Sequence, residues 1–247
     1  MLQVSPGFRT IRRDAMVRLA VLMLSIGFAA PPAAGQDDHG FRFVRIMFDS
    51  GSRGGDAWSH DHPRAELNFY EAIERTTGVY VEGSPLVLTL TDERIFEYPV
   101  LYLCEPGYWE MDEDEEANLR EYLLRGGFIL FDDFRGQSEW AQLYSQLKRL
   151  FPEREMVEIP PEHGIWDVYY EVDPVAAPSN DRGGGFGRGA REDRYFALFD
   201  DAGRMMAFIC YNQDVGDGWE YPERNLDQAS TIAFQMGVNF VLYALTH

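Results

Sequence analysis

The sequence predicts an α/β domain of three layers, a mostly parallel sheet with helices on both faces. From residue 41 onward, short apolar runs alternate with longer amphipathic segments, the pattern of strands joined by crossover helices. Two of the runs, Val100–Cys104 (VLYLC) and Phe128–Phe131 (FILF), are apolar at every position, as strands covered on both faces are. The links between segments are short, and short connections bring successive strands side by side in one sheet.

Phe41–Phe48 (FRFVRIMF) reads as the first strand and stops at Asp49. A polar, glycine-bearing loop follows. Pro63 suits a first helical position, where a missing N–H costs nothing, and Arg64–Thr77 is predicted helical up to Gly78. Val79–Val81 and Leu86–Leu90 are short strand candidates, and Asp92 caps a brief turn carrying Ile95 and Phe96. After the VLYLC strand, Asp112 is placed to cap a helix over Glu113–Arg125, whose first-turn acids meet the positive end of the helix dipole. Gly126-Gly127 ends that helix, and the FILF strand then runs into Asp132-Asp133. Glu139–Leu150 is amphipathic through Trp140, Leu143, Leu147 and Leu150, and Met156–Ile159 is a strand candidate before Pro160-Pro161. Pro174–Asp193 reads as an inserted loop with GGGFGRG at its centre. It lacks a P-loop lysine and opens no helix, so its glycines indicate a surface loop rather than a phosphate cradle. Tyr195–Asp200 and Met205–Tyr211 flank a hairpin turn, and Ala229–Ala244 closes the chain as an apolar helix.

Ahead of this domain, Arg9, Arg12, Arg13 and Arg18 precede an unbroken apolar stretch, Leu19–Ala30, and then Ala33-Ala34-Gly35. A basic start, a short apolar core and a small-residue site predict a secretory signal over residues 1–35. The stretch is shorter than the roughly 20 residues that cross a bilayer. The expectation is therefore a single domain over 36–247, periplasmic or secreted, with no stable membrane insertion after cleavage. The formal net charge is −19 and Lys148 is the only lysine. So acidic a surface repels nucleic acid and anionic membrane. It leaves a small molecule, a cell-envelope glycan or a protein as partner. No residue pattern identifies a cofactor or a metal. Cys104 and Cys210 both fall in apolar runs, where a thiol behaves as a small hydrophobe.

In parallel sheets, ligands bind beyond the carboxyl ends of the strands. Here those ends read Asp49, Cys104-Glu105, Asp132-Asp133 and Asn212-Gln213-Asp214. One acid at a strand end commonly caps a turn; four polar ends together point to a functional edge. Asp132-Asp133 is the sharpest feature, since adjacent carboxylates can hold a cation, or one can act as a base while the other caps a helix. His163 follows two prolines and precedes Ile165-Trp166, a rigid setting for a general base or ligand. Asp132, Asp133 and His163 are thus the candidate catalytic residues, expected to converge at this edge with Asp49 and Asp214 lining the same cleft. His60-Asp61-His62 lies in the loop after the first strand. His-x-His can bind metal, although nothing in the sequence completes a closed site. Trp58, Trp109, Trp166 and Trp219 fall in predicted loops, where an indole face can stack on a sugar or pack into the core. With Asp49, Glu105, Asn212 and Asp214, the indoles of Trp58, Trp166 and Trp219 complete the candidate ligand-binding set.

The stretches FRFVRIMFD, EYPVLYLCEPG, LREYLLRGGFILFDDF, RLFPE, IPPEHGIW, NQDVGDGWE and MGVNFVLYALTH occur in an order that resembles a bacterial family, the domain of unknown function numbered 4159. The resemblance implies a class I glutamine amidotransferase-like fold, of flavodoxin-like type, and brings no established activity. In that fold the nucleophile is a cysteine on a sharp strand-to-helix elbow. The matching position falls near Phe131–Asp133, where this chain has no cysteine. Cys104 does not substitute, because the next helix begins only after Met111. With strands ordered as in flavodoxin-like sheets, the FILF strand also separates Cys104 from Cys210 by about 10 Å, beyond disulfide reach. The expected function is a ligand-binding or accessory module of the cell envelope. The alternatives are a hydrolase using Asp132 or Asp133 with His163, metal-assisted or not, and a structural partner in an envelope assembly.

Overall fold

A computed structural model describes residues 40–51, 55–174, 194–223 and 227–247. The predicted leader and most of the glycine-rich insertion, residues 175–193, lie outside the described residues. Strands β1 (Val44–Ile46), β2 (Leu86–Leu88), β3 (Val100–Cys104), β4 (Phe128–Phe134), β5 (Val157–Glu158), β6 (Arg194–Phe199) and β7 (Met205–Tyr211) form one sheet. Their order is β2-β1-β3-β4-β7-β6-β5. The first five positions run parallel, and β6 is antiparallel to both of its neighbours. The chain is therefore α/β with a mostly parallel sheet.

Alternate side chains of the central strands feed two cores. Tyr102, Cys104, Phe128 and Leu130 pack with Phe69 and Ile73 of α1 (Arg64–Thr77) and with Met236 and Phe240 of α5 (Asp227–Thr246). Leu101, Leu103, Ile129 and Phe131 pack with Leu119 and Leu123 of α2 (Glu113–Leu124) and with Leu143 and Leu147 of α3 (Gly136–Leu150). Each such side chain contributes about 1.5–3 kcal/mol on burial, so strands apolar on both faces belong at the centre. The Asp112 cap forms as expected: its carboxylate accepts from the Glu115 N–H at 2.8 Å, and Glu115 accepts in return from the Asp112 N–H at 3.1 Å. That reciprocal box is worth about 1 kcal/mol.

Two local differences from the sequence reading shape the site. β4 continues past FILF through Asp132, Asp133 and Phe134, with a register shift between Phe131 and Phe134 against β7. Such a bulge re-aims the side chains beside it. A short helix, α4 (Val215–Glu220), also follows β7. Its sequence, VGDGWE, has no apolar period to announce it. It is held instead by its start, where Asp214 accepts from the Asp217 N–H at 2.8 Å.

Candidate functional site

The bulge separates the two adjacent aspartates into different roles. Asp132 is fully buried and accepts from the Val215 N–H at 3.1 Å, the Gly216 N–H at 2.9 Å and the Tyr102 hydroxyl at 2.9 Å. Burial pushes its pKa up in spite of these donors. Its oxygens are spent fastening α4 to the sheet. Asp133, one residue on, takes a left-handed backbone with φ 57° and turns toward Arg135, His60 and Cys104.

Around Asp133 the strand ends converge. Arg135 reaches both Asp133 Oδ1, at 2.8 Å, and Asp214 Oδ2, at 3.0 Å. Burial alone would raise Asp133, but His60, Arg135 and a hydrogen bond from Asp214 outweigh it and hold its pKa below the carboxylate range. Asp214 is driven well above that range, first by burial and then by Asp133, Asp61 and Asp132. His60 Nδ1 lies 2.9 Å from Glu105 Oε1 and 3.7 Å from Asp133 Oδ2. Asp133, and then Glu105, hold the imidazole protonated up to about 9. Burial and then Asp133 raise Glu105 to about 8, and burial with Asp133 and Glu220 raises Asp61 to about 8.

The loop that brings His60 and Asp61 in is anchored by a fully buried ion pair of Arg45 on β1 with Glu66 on α1. Arg45 also donates to the Trp58 carbonyl at 3.0 Å, and His62 Nδ1 sits 3.2 Å from Glu66. Gly216 allows the close approach from the other side. A Cβ there would stand 2.7 Å from Tyr102 Oη and 2.8 Å from Asp61 Oδ2. Asp61, Glu105, Asp133 and Asn212 are the non-glycine residues with positive φ among the described residues, at 64°, 53°, 57° and 63°. All four stand at this edge. Each costs on the order of 1 kcal/mol, and such strain persists where the surroundings over-determine it.

His163 is not part of this constellation. Its Nδ1 accepts from the Ile165 N–H at 3.2 Å, and its ring lies 6.4 Å from Phe199 and 6.0 Å from Tyr243. Phe199 ends β6 beside Met205, the first residue of β7, which is the opposite edge of the sheet from Asp133. The loop after β5 folds over one face of the sheet instead of returning to the end of β4. Burial lowers the His163 pKa, with His247 adding to it.

Trp166 and Trp219 are likewise core residues. Trp166 packs against Tyr195, Phe208 and Phe240 and donates to the Pro160 carbonyl. Trp219 packs on Phe69 and donates to the Ala233 carbonyl. Trp109 is fully buried against Phe131. Trp58 alone of the four is half-buried, so no indole platform lines the edge. Asn212 spends its side-chain oxygen on the Gly136 N–H at 2.9 Å. Asp49 is exposed, caps its own turn at Gly51, and lines an adjoining cavity of about 730 Å³ with Tyr108, Glu139 and Gln142.

The sequence-level candidates that do come together are therefore Glu105, Asp133 and Asp214. His60 takes the place expected of His163, and Asp61 joins it; the His-x-His pattern was the signal for both. A family model described as a domain of unknown function (DUF4159) matches residues 42–245. No curated protein matches the chain.

Proposed function

This chain belongs to the DUF4159 family, and from that premise we propose that it is a ligand-binding module that takes a small ligand by a positively charged group. The observation that carries this reading is the crowding of Asp61, Glu105, Asp133 and Asp214 at one edge, with Arg135 and His60 as the cations among them. Burial first, and then repulsion by Asp133, holds protons on Asp61 and Glu105 near neutrality, and an incoming cation would relieve that repulsion. A nucleophilic enzyme is less well supported. The Cys104 thiol is dry and pushed well up by burial and by Asp133, and thiolate character is what makes a cysteine reactive. The basic start and Leu19–Ala30 support export, which would place the module in the periplasm or outside the cell. The test is a thermal-shift panel of divalent cations and alkylamines against neutral sugars and simple anions. A ligand at 100 times its Kd stabilises by about 2.7 kcal/mol, a rise of about 5–10 °C for a domain of this size. Asp133→Asn should remove the response. A shift by sugars or anions, with none by cations or amines, would refute the reading.

A further inference from the structure

We infer that His60, Glu105 and Asp133 are the ligands of one first-row divalent cation, of which zinc is the probe of choice. This deepens the cation-binding reading above and rests on it. One donor atom from each of the three residues lies within 4.8 Å of the other two. His60 Nδ1 is 2.9 Å from Glu105 Oε1 and 3.7 Å from Asp133 Oδ2. Around a tetrahedral ion with bonds of about 2.1 Å, neighbouring ligand atoms stand about 3.4 Å apart. The two separations from His60 fall on either side of that value, each about half an ångström from it.

The set is not a group of carboxylates alone. One imidazole nitrogen with carboxylate oxygens suits zinc, manganese or iron, whereas calcium takes six to eight oxygens. A separate observation stands beside the set. Asp61 Oδ2 is sealed from solvent and receives no hydrogen bond, and Asp61, whose carboxyl also pairs with Glu220, belongs with Asp133 and Cys104 to a second close group. Metal binding displaces the proton that His60 otherwise holds against Glu105 and Asp133, and the surroundings also suit a metal. His60 has a side chain 56% exposed, which leaves a route in from solvent, while Glu105 and Asp133 are buried at the floor. Arg135 orients Asp133 from behind at 2.8 Å, as partners outside the ligand shell of a metal commonly do.

The experiment is calorimetric titration of tag-free, chelator-stripped protein with zinc sulfate. Wild type should bind one zinc per chain, His60→Ala and Glu105→Gln should each weaken binding by at least about tenfold, and His163→Ala should bind as wild type. Because the His60 side chain is half exposed, its truncation leaves the packing intact, and thermal melts of each variant verify folding. If Glu105→Gln fails to fold, His60→Ala decides. Unchanged zinc binding by folded His60→Ala overturns the inference, as does a wild type that takes up no zinc. If zinc fails while alkylamines shift wild type and not Asp133→Asn, the metal site falls and the cationic-ligand pocket stands. If neither zinc nor amines bind, both fall.

Discussion

Glu105 sits directly after β3 in a left-handed conformation, φ 53° and ψ 47°, which an unbranched acidic side chain adopts at a cost of about 1–2 kcal/mol. Glycine adopts it freely. Glu105→Gly should therefore raise the stability of the metal-free protein by about 1 kcal/mol in urea melts while abolishing zinc binding, a gain in stability at the expense of the site. A loss of stability would mean that packing of the Glu105 stem outweighs the strain. The same residues set a pH dependence. Folded Asp61 and Glu105 are raised to about 8, and His60 to about 9. Each binds a proton more tightly folded than unfolded, so each stabilises at low pH and loses that contribution as pH rises through its folded value. For the carboxyls the loss runs between about 4 and 8, and for His60 between about 6.5 and 9. In chelator-containing buffer the urea midpoint should thus fall steadily from pH 5 to pH 9. A midpoint that rose over this interval would show that the pocket does not hold these protons.

At the scale of elements, α4 depends on a contact that only glycine permits. With a Cβ at residue 216, 2.7 Å from Tyr102 Oη and 2.8 Å from Asp61 Oδ2, either α4 or Asp61 must move. Gly216→Ala should weaken zinc binding through displaced Asp61 and lower stability by about 1–3 kcal/mol; unchanged values of both would show that α4 is free to slide. This helix also marks where sequence reading stops. VLYLC coincides with β3 residue for residue because a strand buried on both faces has to be apolar throughout. VGDGWE carries no such pattern, since beyond its own Asp214 cap it is fixed by N–H groups that donate to Asp132, far away in sequence. The continuation of β4 through Asp132 and Asp133 was hidden for a similar reason: two buried carboxylates look like a strand end, until Val215, Gly216 and Arg135 supply their partners.

For the whole molecule, the rule that ligands gather beyond the carboxyl ends of parallel strands placed Glu105, Asp133 and Asp214 together. It failed for His163 because the chain leaves β5, which points to the same edge as β4, and doubles back across one face of the sheet toward Phe199 and Tyr243. The tryptophans misled for a different reason: loop position says where an indole starts, and Trp109, Trp166 and Trp219 all turn inward to fill the two cores. The same strand order fixes the state of the thiols. Cys104 ends β3 opposite Asp132 of β4, and Cys210 lies on β7, the strand beyond β4. Two strand spacings amount to about 9.6 Å, whereas bridged cysteines have Cα atoms no more than about 7 Å apart. Both thiols are also fully buried, and burial drives both well above the usual thiol range. Intact mass should therefore be the same with and without reductant, even in protein recovered from an oxidising compartment. Iodoacetamide should add nothing to the native protein and two adducts in denaturant. A mass two daltons light before reduction would mean that β4 does not separate β3 from β7, and the site built on its end would lose its frame.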